Sequence, residues 1–193
     1  MRRGNFNEST VSVNSIYIAR IVRHLSTKNM KKFVYQFLIV LLTLPVLLQA
    51  QASEEVHVSE VVNRLFTGMH NADSTLVRSA FANEVTMATA LRNKEGKSVL
   101  IREYSINAFV KAVGQPQKEP LTEEIWNLKI QIDGDLAQAW CDYAFYVGNK
   151  FSHCGVDAFQ LHKSQEGWKI FHLADTRRND NCTIPEEIQK KHK

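Results

Sequence analysis

Beyond residue 52 the chain has no excess of positive charge, although the whole sequence is basic, with 24 Lys and Arg against 20 Asp and Glu. The first 52 residues hold seven of those bases and one of the acids, so the remainder carries 17 against 19. With no basic stripe left to hold phosphates, a nucleic-acid partner is not expected. The sequence also lacks any His-x-His or His-x-x-x-His pair, which argues against a metal centre. It contains no internal repeat and no low-complexity tract. Cysteine is scarce: Cys141, Cys154 and Cys182 make an odd set, so at least one is free or pairs with another chain.

Long apolar runs are absent except near the start. Residues 30–52 read MKKFVYQFLIVLLTLPVLLQAQA. Lys31 and Lys32 precede an apolar stretch, and Ala50-Gln51-Ala52 is a small-x-small cleavage site. That is the layout of a secretory signal peptide, and the apolar run is short for a membrane span. An uncleaved anchor is the alternative. No cysteine follows the run, which disfavours a lipid anchor. The expected location is periplasmic or secreted, without membrane attachment once the leader is cut. Residues 1–29 are polar and show no period. They are expected to be an extension upstream of a true start at Met30, or else a long positive region of the leader. The 141 residues after position 52 suit one domain with a real core. That domain is placed at 53–178, followed by a polar tail at 179–193.

Apolar spacing predicts the elements. Val58, Val61, Val62, Leu65, Phe66 and Met69 mark one face of a helix over 54–71. Asp73 is the expected N-cap of a short second helix; a pocket carboxylate is the alternative role. A strand over 84–92, a turn at 93–97 and a short return strand at 99–101 follow. A third helix over 102–113 ends at Gly114-Gln115-Pro116. From residue 123 the period becomes two, which predicts four strands, the first pair joined by the hairpin signal Asp133-Gly134-Asp135. Helices followed by a meander predict an α+β fold, with helices in the concave face of a curved antiparallel sheet.

Several segments carry a family resemblance: GMHNAD at 68–73, YSINAFVKAV at 104–113, DGDLAQAW at 133–140 and DAFQLHKSQEGWKIFHLADTR at 157–177. With them the chain resembles the nuclear transport factor 2-like superfamily, whose cone fold also holds polyketide-cyclase-like and ketosteroid-isomerase-like proteins. It is most similar to the small exported branch called "putative lumazine-binding". The resemblance covers about residues 55–178. It implies a cystatin-like cone and homodimerisation through the outer sheet face. It implies no particular activity, because the isomerase-like set of catalytic residues has no residue-by-residue match here.

Register locates a pocket. If Gly148-Asn149 is a two-residue turn, Trp140 faces Asp157 and Ala144 faces His153. If Ser164 to Gly167 is a four-residue turn, Phe159 faces His172 and Leu161 faces Ile170. Alternation then puts Trp140, Asp142, His153, Asp157, Phe159, Trp168 and His172 on the concave face. Asp157 and His172 are the candidate pair. They could orient a ligand's polar group, act as a proton shuttle, or satisfy each other in an inert core. The outer face would carry Cys141, Tyr143, Phe145, Cys154 and Val156, an apolar surface that needs a cover. Cys154, placed opposite Arg177, is close enough in the chain to Cys182 for a disulfide, which leaves Cys141 as a buried thiol. Arg177 and Arg178 could meet an acidic ligand at the mouth, or simply end a strand in solvent. Asn181-Cys182-Thr183 matches a glycosylation sequon. The expected function is binding of a small, partly apolar ligand without cofactor or metal. A cofactor-independent isomerase, dehydratase or cyclase using a His–Asp pair is the first alternative, and a dimeric interaction module the second.

Overall fold

The computed structural model describes residues 27–193. Most of the 1–29 extension therefore lies outside the described residues. The chain divides into two units, Met1–Ala50 and Gln51–Lys193, and the second contains the sheet. Helix α1 (Thr27–His70) starts further back than the apolar spacing suggested. Residues 30–52 continue it with many Leu and Ala, which favour a helix. Among the described residues no helix is long and apolar enough to cross a membrane.

The remaining elements are α2 (Ser74–Ala80), β1 (Phe81–Arg92), β2 (Ser98–Glu103), α3 (Asn107–Val113), β3 (Leu121–Asp133), β4 (Leu136–Val147), β5 (Lys150–Ser164), β6 (Gly167–Arg177) and α4 (Glu186–Lys191). They form a six-stranded sheet in the order β2-β1-β6-β5-β4-β3. The architecture is α+β, as expected, but the sheet is mixed and not purely antiparallel. β1 runs parallel to β6, pairing Thr86 with His172 and Thr89 with Asp175. The reason is topological: β1 precedes the meander and must close against its last strand. Asp73 is the N-cap of α2, accepting a 2.9 Å hydrogen bond from Leu76 N at Oδ1.

The helical spacing of α1 buries the intended face. Val58, Val62 and Leu65 are fully enclosed, and Phe66 meets Phe159 edge-on at 6.1 Å. Across from them β4, β5 and β6 contribute Ala137, Ala139, Leu161, Trp168 and Ile170. Each buried Val, Leu or Phe contributes roughly 1.5–3 kcal/mol. At this end of the cone the side chains fill the space. Trp168 belongs to that packing, its Nε1 donating to Glu54 Oε2 at 2.8 Å. Lys163 Nζ reaches the same carboxylate at 2.8 Å, so Glu54 ties the helix to the β5–β6 hairpin.

Two bulges set the register, and they correct the expected facing pairs. Next to the turns the pairs are those read from the sequence: Val147 with Lys150, and Leu161 with Ile170. A shift between Phe145 and Tyr146 then places Cys141 opposite Asp157 and Phe145 opposite His153. A second shift, between Gln160 and Leu161, places Phe159 opposite Leu173 and Asp157 opposite Asp175. Each bulge inserts one residue and inverts the faces beyond it. A third irregularity, in β3 between Trp126 and Lys129, has Asn127 at φ 54°, a left-handed conformation that Asn tolerates.

Candidate functional site

The open end of the cone holds a cavity of about 730 Å³. Phe66 and Met69 of α1, Phe109 of α3, and Met87 and Leu173 of the sheet make much of its wall apolar. The segment from Gly114 to Leu121 and the end of α1 form its rim. His70 Nε2 lies 2.8 Å from Glu123 O, which pins the end of α1 to β3.

The polar part of the wall comes from four adjacent strands. β3 supplies Glu123, β4 Tyr143, β5 His153 and Asp157, and β6 Asp175 and Arg177. Alternation along each strand turns these residues inward together. Asp157 is 4% exposed and is the buried charged residue of the core. The carboxyl of Glu123 is its acidic neighbour on the cavity wall, near enough for each acid to shift the titration of the other. Oδ2 of Asp157 is buried with no hydrogen-bond partner among the described residues. Buried polar atoms are nearly always paired, so an orphan on a cavity wall calls for an explanation.

Electrostatics follow from that burial. Desolvation, then the Glu123 charge, hold Asp157 well above the usual carboxylate range. Desolvation also raises Glu123, to about 7. Two acids this close cannot both ionise cheaply, so near neutral pH the pair keeps at least one proton. It then offers a donor and an acceptor side by side. Asp175 is differently placed: it accepts from Thr89 Oγ1 and, at 2.7 Å, from Arg177 Nε. Tyr143 donates to Thr176 O at 2.9 Å, and burial pushes its hydroxyl pKa up. His153 stacks on Phe145 with ring centroids 5.0 Å apart; desolvation, then Arg177, lower its pKa.

Of the expected pocket residues, His153, Asp157 and Phe159 line the cavity. Four others do not. Beyond the first bulge Trp140 and Asp142 face outward: Trp140 is 51% exposed, and Asp142 accepts from Asn127 Nδ2 at 2.8 Å. Beyond the second bulge His172 also faces outward, its Nδ1 2.7 Å from Thr86 Oγ1. Trp168 faces inward but packs in the filled end of the cone. The His172–Asp157 pair is therefore corrected, and the titratable partner of Asp157 is Glu123. His172→Ala and Trp140→Ala are expected to leave cavity binding unchanged within about 0.5 kcal/mol, roughly twofold, in a fluorescence titration.

Tyr143, Phe145, Asp175 and Glu123 were missed. Glu123 and Asp175 were given no role, and Tyr143 and Phe145 were assigned to the outer face. The apolar excess on that face was the available signal that β4 had been read one residue out of register. Cys154 and Cys182 form a disulfide, and Cys154 lies opposite Arg178 instead of Arg177. Cys141 is a buried free thiol whose pKa desolvation, then Asp157, push upward, so it is a poor nucleophile. Among the described residues no cluster of three or more His, Cys, Asp or Glu is arranged to hold a metal.

Comparison with known proteins agrees with this fold. No curated protein matches the chain at a significant level. Among solved structures, a nuclear transport factor 2-like protein of unknown function from Shewanella baltica is 22% identical, with a TM-score of 0.52. The match covers 67% of this chain and 97% of that one. A nuclear transport factor 2-like protein with a cystatin-like fold from Novosphingobium aromaticivorans gives 12% identity and a TM-score of 0.55, covering 74% and 92%. A putative dehydratase of the same family from Streptomyces avermitilis gives 12% and 0.51, covering 67% and 99%. At these identities the likeness concerns the fold. The family described as "Putative lumazine-binding" matches residues 53–172, more than half of the sequence, and the chain belongs to that family, on the nuclear transport factor 2-like fold.

Proposed function

We propose that the domain binds a small, partly apolar organic molecule in the cone, with an uncharged polar end set against the Asp157–Glu123 acid pair. The observation that carries this is the buried, unpartnered Oδ2 of Asp157 on the wall of a 730 Å³ cavity. A cavity of that size suits a drug-sized molecule, and a few convergent polar groups in an apolar wall suit orientation of one end. An anionic end is disfavoured, because Glu123, Asp157 and Asp175 converge there and Arg177 is already engaged by Asp175.

Native mass spectrometry of the full chain, purified from the compartment it occupies, tests this. The expected result is extra small-molecule mass that is lost on denaturation. In Asp157→Leu, an apolar replacement that removes the orphan oxygen, the extra mass is expected to vanish while the fold persists. A ligand-free wild-type protein that also fails to bind neutral aromatic probes would overturn the proposal.

A second reading is proton-transfer catalysis of isomerase, dehydratase or cyclase type. It is favoured by the carboxyl of Glu123, raised to about 7 inside the cavity, where a general acid or base is most effective. Export to the periplasm or outside is part of the proposal. It is supported by the leader at 30–52 and by a disulfide of a kind that persists in oxidising compartments. A homodimer through the outer sheet face would use the exposed Trp140 and Leu136.

A further inference from the structure

We propose that the C-terminal tail is a redox-releasable strap that holds the cavity's polar residues in position from the opposite face of the sheet. The link to ligand rests on the binding proposed above; the mechanical part does not.

The tail is fastened at three points. The Cys154–Cys182 disulfide anchors it to β5, four residues past the last backbone pair, in which Cys154 N donates to Arg178 O at 2.9 Å and Arg178 N to Cys154 O at 3.0 Å. Ile188 of α4 is 5% exposed and packs in a small cluster with Ala144 and Tyr146, flanked by Trp126, Phe151 and Ile184. At the far end the His192 ring stacks on Tyr146 with centroids 3.7 Å apart, and Lys191 pairs with Glu124 at 2.8 Å.

Four of the tail's contacts on the sheet are chain neighbours of cavity residues. Glu124 follows Glu123, Tyr146 follows Phe145, Cys154 follows His153, and Arg178 follows Arg177. Strand alternation makes the outer residue a strap contact and the inner one part of the cavity wall. The strap therefore clamps the stretches of β3, β4, β5 and β6 that aim the polar side chains. Polar groups act on a ligand only when their supporting shell fixes them to within a fraction of an ångström.

Release is ordinary thiol–disulfide exchange. A dithiol donates two electrons and two protons; the Cys154–Cys182 S–S bond breaks, both sulfurs become thiols, and the dithiol closes to its own disulfide. The packing of Ile188 and the contacts of Lys191 and His192 with Glu124 and Tyr146 would then hold eleven residues of tail whose covalent tie is gone.

The test is amide hydrogen exchange on the full chain, oxidised and after dithiothreitol, alongside Cys182→Ser. Nile red, a neutral dye, serves as the cavity probe. Reduction is expected to raise exchange in 179–193 and also in the cavity stretches 121–125, 143–147, 153–157 and 174–178. It is expected to weaken Nile red by roughly fivefold or more, reversibly on reoxidation. Ile188→Asn, which loosens the tail with the disulfide intact, should give a weaker version of the same pattern. Faster exchange confined to the tail would overturn the proposal. So would global unfolding on reduction, because the tail would then be part of the core and not a strap. A dye that binds neither form would count against the ligand proposal and leave exchange to decide the strap.

Discussion

Between pH 5 and pH 8 the folded protein is expected to lose roughly 2–3 kcal/mol of stability through Glu123 alone. The sign follows from the raised pKa. In the unfolded chain Glu123 ionises in the ordinary carboxylate range, whereas in the fold it holds its proton to about 7. The native state therefore binds more protons than the unfolded state across that window, and stability present at low pH falls as pH rises. Asp157, also held well above the usual carboxylate range, adds to the same slope. His153 opposes it, because a depressed histidine makes the fold bind fewer protons below neutrality. Urea unfolding at several pH values measures the sum, and Glu123→Gln isolates the acid. A flat or rising wild-type profile, or one that Glu123→Gln does not change, would show that the acid pair is solvated and not buried against the cavity.

Gly155→Ala should be the most damaging small substitution in the sheet. At this position an added Cβ would stand 1.8 Å from Thr176 O and 2.6 Å from Cε1 of Tyr143. Neither can yield freely. Thr176 O accepts the Tyr143 hydroxyl at 2.9 Å, and Thr176 Oγ1 accepts from Val156 N at 3.1 Å. Replacing Gly by Ala in a strand is usually mildly stabilising, because it narrows the unfolded ensemble. Here the strands must part, and a loss of about 3 kcal/mol or more is expected, near 10 °C in melting temperature. A melting temperature within a few degrees of wild type would mean that β5 and β6 are not held together as closely as described.

The fold was legible because its signals are redundant. Val58, Val62 and Leu65 set the helical face, and the turn residues near Asp133 and Gly148 bounded long alternating strands. His153, Asp157 and Phe159 were also legible, since they lie on one strand and need only its own alternation. Their partners across the sheet depended on register, which turn length fixes only locally. Two single-residue bulges, near Phe145 and Gln160, turned Tyr143 and Asp175 inward and Trp140 and His172 outward. A bulge leaves little mark on the hydrophobic pattern apart from a face that is too apolar for where it has been put. The parallel closure of β1 on β6 was not legible either, because nothing in a strand's own sequence names a neighbour so distant.

That closure also dictates an order of assembly. β1 takes its partner in the sheet's interior from β6, with Thr86 and His172 separated by 86 residues. Until β6 has emerged from the ribosome, β1 has only the short β2 beside it, and α1 has an unfinished surface to pack on. Contacts so distant in sequence form slowly, since the loop entropy is lost before the contacts repay it. The growing chain therefore stays uncommitted to its final shape through most of its synthesis.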